Sequence, residues 1–155
     1  MRKQTNRRSA DAAAPRQGPF WDVLAGRAPM PAAAALLGWQ LVAVDPDAGT
    51  IEVSFDATDG FCNPVGNIQG GLLAAMLDDT LGPALVATLA PDQFAPTLDL
   101  HVQFVRAANP GPVIGRGRVV SKVRSVAFVA GELVDERGEL LATATATAAI
   151  RAQRK

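Results

Sequence analysis

Residues Gln69–Ala90 read QGGLLAAMLDDTLGPALVATLA, and this stretch decides the fold. Its apolar residues fall almost all the way round a helical wheel, and a helix of that kind is buried on most sides. At more than five turns it is the longest predicted element of the chain, with Gly82-Pro83 as an internal defect where a kink or a relay into a second short piece is expected. Two aspartates, Asp78 and Asp79, interrupt it between Met76-Leu77 and Thr80-Leu81. Carboxylates are costly in apolar surroundings and aspartate is a poor helix former. They point about 100° apart on the wheel, so at most one shares the inward face. Either one meets solvent while the other bonds a neighbouring group, or one is a carboxylate held in a dry cleft as base or nucleophile. Both readings stand at this point.

On either side of that helix the period is two. Trp39–Asp45 and Thr50–Asp56 flank the turn Pro46-Asp47-Ala48-Gly49, and Ile51, Val53 and Phe55 alternate with polar neighbours, which predicts a hairpin with one wet face. After Pro91 and Pro96, Leu98, Leu100, Val102 and Phe104 alternate in the same way. Val113–Lys122, Arg124–Asp135 and Glu139–Ala149 follow, with turns at Asn109–Pro112 and Glu136–Gly138. Two strands, one helix and four strands joined by short turns make an antiparallel sheet. A long apolar helix is hidden only if that sheet curves around it, which is an α+β domain.

The rest of the composition narrows the field. In 155 residues, 15 Lys+Arg balance 15 Asp+Glu, which argues against an electrostatically driven nucleic-acid binder. A single Cys excludes a disulfide framework and a multi-Cys zinc site. Cys62 reads as a small core residue, and His101, the only histidine, lacks a second ligand and makes no metal site. No apolar run approaches the ~20 residues of a membrane span. Residues 1–18 are polar and basic, with no hydrophobic segment following, and read as a disordered tail rather than a secretory signal. The domain is expected over 19–150 and a C-terminal tail over 151–155. Phe20–Ala25 and Pro31–Leu37 each begin beside a proline and read as short helices capping the core or a partner subunit. A soluble, reduced, cytoplasmic protein is the expectation.

Chemistry is expected where the loop Phe61–Gly71 meets the helix. A helix start presents unpaired N–H groups and partial positive charge, and Gly70 and Gly71 let another molecule approach that backbone closely. Such a place can grip a phosphate or stabilise an oxyanion. Among the basic residues of the second half, Arg116, Arg118 and Lys122 share parity and are expected on one strand face.

Asn63-Pro64-x-Gly66-x-x-Gln69-Gly70-Gly71, followed by Asp78, resembles the hotdog-fold acyl-CoA thioesterases of the phenylacetyl-CoA thioesterase type, within the 4-hydroxybenzoyl-CoA thioesterase superfamily. The pattern there is Asn-x-x-Gly-x-x-His-Gly-Gly with an Asp nine residues after the His, and nine residues after Gln69 is Asp78. Phe104-Val105-Arg106 is similar to the family's Phe-x-Arg-Pro segment, with Ala107 in place of the proline. The resemblance covers roughly residues 38–150 and the β-β-α-β-β-β-β order.

It implies a six-stranded antiparallel sheet wrapped around one central helix and hydrolysis of an aryl-acetyl or medium-chain acyl-CoA, with no metal or redox cofactor and coenzyme A only as part of the substrate. It further implies that Asp78 is the general base or nucleophile, that the Gly70 N–H binds the thioester oxygen, and that Asn63 orients water or carboxylate across a subunit interface. Thr97 aligns with a Ser or Thr near the attacking water. Gly66 and Gly71 belong to the substrate-binding loop, and Arg106, Lys122 and Arg124 are candidates for the nucleotide phosphates. Gln69 departs from the pattern, since its amide can donate a hydrogen bond but cannot take up a proton. A second reading therefore stays open, a hotdog protein that binds acyl-CoA and turns it over slowly or not at all. Hydration or dehydration of an acyl thioester would need a catalytic histidine on another element than His101's. Open sheet edges imply a homodimer, with a homotetramer expected.

Overall fold

The computed structural model describes residues 16–153, so most of the predicted N-terminal tail lies outside the described residues. Two short helices, α1 (Pro19–Leu24) and α2 (Ala32–Leu36), precede the hairpin β1 (Gln40–Asp45) and β2 (Thr50–Ala57). A single 3-10 turn, Asp59–Phe61, leads to the long helix α3 (Gly70–Val86). Then come β3 (Gln93–Phe94), β4 (Thr97–Phe104), β5 (Gly111–Val123), β6 (Val126–Asp135), β7 (Leu140–Ala149) and β8 (Arg151–Ala152). Six strands form one antiparallel sheet in the order β1-β2-β5-β6-β7-β4. Arg151 and Ala152, expected in a tail, pair with Phe94 and Gln93.

The helix buries Leu73, Met76, Leu77, Thr80, Leu81, Ala84 and Leu85 against the sheet, a stripe at three- and four-residue spacing. Ile51, Val53 and Phe55 of β2 and Ala142, Ala144, Ala146 and Ala148 of β7 face it from the strands. Small residues there bring helix and sheet together. A Cβ on Gly131 would meet the Arg116 carbonyl oxygen and stand 2.8 Å from Leu81 Cδ2. One on Gly115 would strike Thr80 Oγ1, and one on Gly117 would lie 3.1 Å from the Thr80 carbonyl oxygen. The three glycines form a trough that fixes the level at which α3 lies.

The helix runs unbroken through Pro83 and ends at Val86, so the predicted extension to Ala90 is not helical and there is no relay at Gly82-Pro83. Pro83 has no N–H for the Asp79 carbonyl one turn earlier. The buried Trp39 fills that gap, its Nε1 donating to the Asp79 main-chain oxygen at 2.9 Å.

A bulge in β5 between Val119 and Ser121 corrects the parity expectation. Before it, Arg116 and Arg118 lie on the outer face, and Arg116 pairs with Glu52 and Glu132. Beyond it Lys122 is turned toward the helix side, where its Nζ donates to Thr88 Oγ1 at 3.0 Å. The sheet edges are β1 and β4, and at β4 Leu98, Phe104 and the following Val105 are all more than half exposed.

Candidate active site

The loop before α3 is closed by its own amides. Asn63 Oδ1 accepts from the N–H groups of Val65 and Asn67, at 3.0 and 3.2 Å. The Asn63 N–H donates to the Asn67 carbonyl, and Gly66, at φ 86°, turns the chain between them. Ile68 N–H bonds the Ala108 carbonyl and Gln69 N–H bonds the Phe61 carbonyl, both at 2.8 Å. The helix start is thereby fixed. Gln69 occupies the N-cap position with an exposed side chain that makes no capping bond. The Gly70 and Gly71 N–H groups have no hydrogen-bond partner among the described residues. The Phe104 ring lies against Gly70, where a Cβ would come within 3.1 Å of Cζ, whereas beside Gly71 there is open space.

Asp78 stands two turns further on. Its exposed carboxylate accepts from Thr97 Oγ1 at 2.9 Å, across from the first residue of β4. Asp79 is partly buried, and one of its oxygens, Oδ2, is enclosed without a hydrogen-bond partner. Burial, reinforced by the neighbouring Asp78 charge, raises its pKa above the ordinary aspartate value. The adjacent aspartates thus differ, one reaching solvent and Thr97, the other set back in apolar surroundings. Both open into a groove of about 460 Å³. Its walls include Phe20, Val23 and Leu24 of α1, then Met30 and Ala33, with Gly82, Pro83 and Val86 continuing the helix face beyond Asp78. In the sequence the two short helices read as caps on the core or on a partner subunit. Their place as walls of this groove depends on tertiary packing, and the run of small and apolar residues around Pro31 offered only a weak signal for it.

The predicted residues therefore fall in three places on one chain. Asn63, Gly66, Gln69, Gly70 and Gly71 sit at the start of α3, with Arg106 beyond the end of β4 and its guanidinium held by Glu139 at 2.6 Å. Asp78 and Thr97 form the middle. Lys122 is engaged at Thr88, and Arg124, at φ 55°, turns the β5–β6 hairpin. These two lie past the other end of a helix about 25 Å long, at 1.5 Å per residue. Gly70 and Asp78, eight residues apart, are separated along the same axis by about 12 Å.

A larger depression of about 950 Å³ lies on the outer sheet face, and Glu52, Arg116, Glu132 and His101 line it. None of the candidate catalytic residues reaches it. No cluster of three or more His, Cys, Asp or Glu suited to a metal occurs among the described residues, and no helix there is long and apolar enough to cross a membrane.

The profile of the Thioesterase superfamily matches residues 65–142, a span that runs from the loop before α3 into β7. The chain belongs to this superfamily. A phenylacetic acid degradation-related protein of Ralstonia eutropha JMP134 is 46% identical to this thioesterase, with 84% of this chain and 98% of that one covered and a TM-score of 0.81. An esterase-named protein of Thermoplasma acidophilum is 26% identical over 99 residues, 64% of this chain and 74% of that protein. A Streptococcus mutans UA159 protein whose crystal structure holds acetyl-CoA shares the fold. It is 22% identical, with 76% of this chain and 91% of its own covered, and the TM-score is 0.67. The architecture is the hotdog fold, and the enzyme is a thioester hydrolase.

Proposed function

We propose that this thioesterase hydrolyses an aryl-acetyl or medium-chain acyl-CoA to the free acid and CoA, with Asp78 as the catalytic carboxylate. The observation that carries the reading is the Asp78–Thr97 pair opening into an apolar groove. With Asp78 as base, the carboxylate takes a proton from water while the water oxygen attacks the thioester carbonyl. Negative charge develops on the carbonyl oxygen, and the Gly70 N–H at a helix start is the donor for it. Collapse of the intermediate breaks the C–S bond, and the CoA sulfur takes the proton. With Asp78 as nucleophile, the same collapse leaves an acyl anhydride that water then opens.

About 12 Å of helix separates Gly70 from Asp78, too far for both to serve one carbonyl. The proposed site therefore pairs Asp78 of one copy with the helix start of a second, brought together by the apolar β4 edge. A homodimer is the minimum assembly under this reading, and a homotetramer in the cytoplasm is the proposed state. Asn63, Gln69, Gly71 and Gly66 contribute the loop that receives the thioester end. Arg106, Lys122 and Arg124 are the proposed contacts for the nucleotide phosphates, and no metal or redox cofactor is invoked.

One observation favours a second reading, of slow turnover or binding alone. Gln69 projects unbonded from the N-cap, and its amide cannot take up a proton. Thiol release from acetyl-, octanoyl-, phenylacetyl- and benzoyl-CoA, run beside Asp78→Asn, separates the two. Hydrolysis abolished by that substitution supports the enzyme mechanism. Binding of the esters without hydrolysis supports the second reading. Activity that survives Asp78→Asn removes Asp78 from the reaction.

A further inference from the structure

Gly82 stands four residues after Asp78 and so shares its helix face, about 6 Å further along the axis. It lines the groove, and a Cβ built on it would meet nothing within 4 Å. Its φ is not in the left-handed region, and no strand or side chain presses on it as they do on Gly115 or Gly131. Glycine is a poor residue for a helix interior, so the usual compensations of close approach or positive φ are missing here. What its bare Cα does provide is volume, one helical turn beyond Asp78 in the same groove, whose walls include Phe20, Val23 and Met30.

We propose that Gly82 is the specificity-determining residue of the acyl site, its missing side chain making room for the part of the acyl group that runs along the helix past Asp78, about 6 Å of axial rise further on. The inference rests on the reading of the groove as the acyl site. It assigns to one residue the preference for acyl groups that extend into this space, an aromatic ring or a chain of medium length. Two-carbon acyl groups stop short of it.

A local backbone reason for glycine must be separated from this one. Proline crowds the Cβ of the residue before it when that residue is helical, so Gly82 also relaxes the approach to Pro83. The test is therefore made in a Pro83→Ala background, where that crowding is gone. Gly82→Leu with Pro83→Ala is compared with Pro83→Ala alone. Thermal melting confirms folding, kcat and KM are measured for acetyl-, octanoyl- and phenylacetyl-CoA, and calorimetry gives the affinity for the same esters.

The expected result is a loss of kcat/KM of about tenfold or more on the octanoyl and phenylacetyl esters, carried largely by KM, with acetyl-CoA nearly unchanged. Equal losses on all three esters, or an unchanged profile, overturn the role of Gly82 while leaving thioester hydrolysis standing. Should the unmodified protein hydrolyse none of them, the acyl-CoA hydrolase reading fails by itself. Calorimetry still decides Gly82 in that case: affinity lost selectively for the two larger esters supports the inference, and affinity lost equally or not at all overturns it.

Discussion

Thr97 Oγ1 donates a 2.9 Å hydrogen bond to Asp78 Oδ1, tying the first residue of an edge strand to the middle of the central helix. A carboxylate on an exposed helix face otherwise samples several rotamers, and this hydroxyl selects one. Hydrogen bonds to charged groups are worth about 1.5–3 kcal/mol, with the lower end expected where solvent competes. Thr97→Val should therefore lower kcat by about tenfold, since ~1.4 kcal/mol is a factor of ten in rate. Thr97→Ser, which keeps the hydroxyl, should recover most of it. Steady-state kinetics on the best acyl-CoA reads both. If serine and valine are equally impaired, Thr97 acts through packing and not through its hydroxyl.

Trp39 and Pro83 form a second pair, joined through the Asp79 carbonyl. The proline withdraws the helical donor from that oxygen and the indole supplies another. Trp39→Phe should cost about 1 kcal/mol more in the native background than in Pro83→Ala, because alanine returns an N–H to the same carbonyl. Urea unfolding of the four proteins in the cycle gives the coupling directly. Identical costs in both backgrounds would show that the indole contributes only its bulk.

The trough under α3 makes a prediction about stability alone. A methyl group on Gly131 must displace the Arg116 carbonyl and Leu81, one of them backbone that cannot swing away. Gly131→Ala should therefore destabilise the fold by about 1–3 kcal/mol, the usual range for forcing extra volume into a close-packed interior. The urea midpoint should fall with an unchanged slope. An unchanged midpoint would mean that helix and sheet can part by the needed distance at no cost.

Those glycines hold a relationship that is not legible in the sequence. The helix was legible because Leu72 through Leu85 is apolar on nearly every side, and the strands because Ile51-Val53-Phe55 and Leu100-Val102-Phe104 keep a strict period. Turn chemistry at Gly49 and Gly138 placed the hairpins. Strand-interior glycines can signal close backbone approach, yet nothing local says which helix residue approaches. The bulge at Val119–Ser121 was invisible for a related reason. It inverts the parity that placed Lys122 beside Arg116, and only pairing with β6 reveals it. For the site, spacing from Gln69 to Asp78 was readable, whereas the groove walls from α1 and α2 required the chain to fold back over Pro83.

Asp79 supplies the pH dependence. Burial first, and the Asp78 charge second, raise its pKa above the ordinary aspartate value in the folded protein. Asp78 is the other titratable side chain lining the groove. Between the unfolded and folded pKa values the native state holds more protons than the unfolded state, so stability falls as pH rises through that window. Well below the unfolded value both states are protonated and the penalty is absent; well above the folded value it is fully present. Asp79→Asn removes the titration while keeping the shape. The variant should melt higher than the native protein at pH 7, and the gap should narrow as pH is lowered toward 4. Melting curves across that range check the sign. A gap that stays constant with pH would trace the difference to packing, and a lower melting point for the asparagine variant at pH 7 would mean the ionised carboxylate is stabilised in the fold.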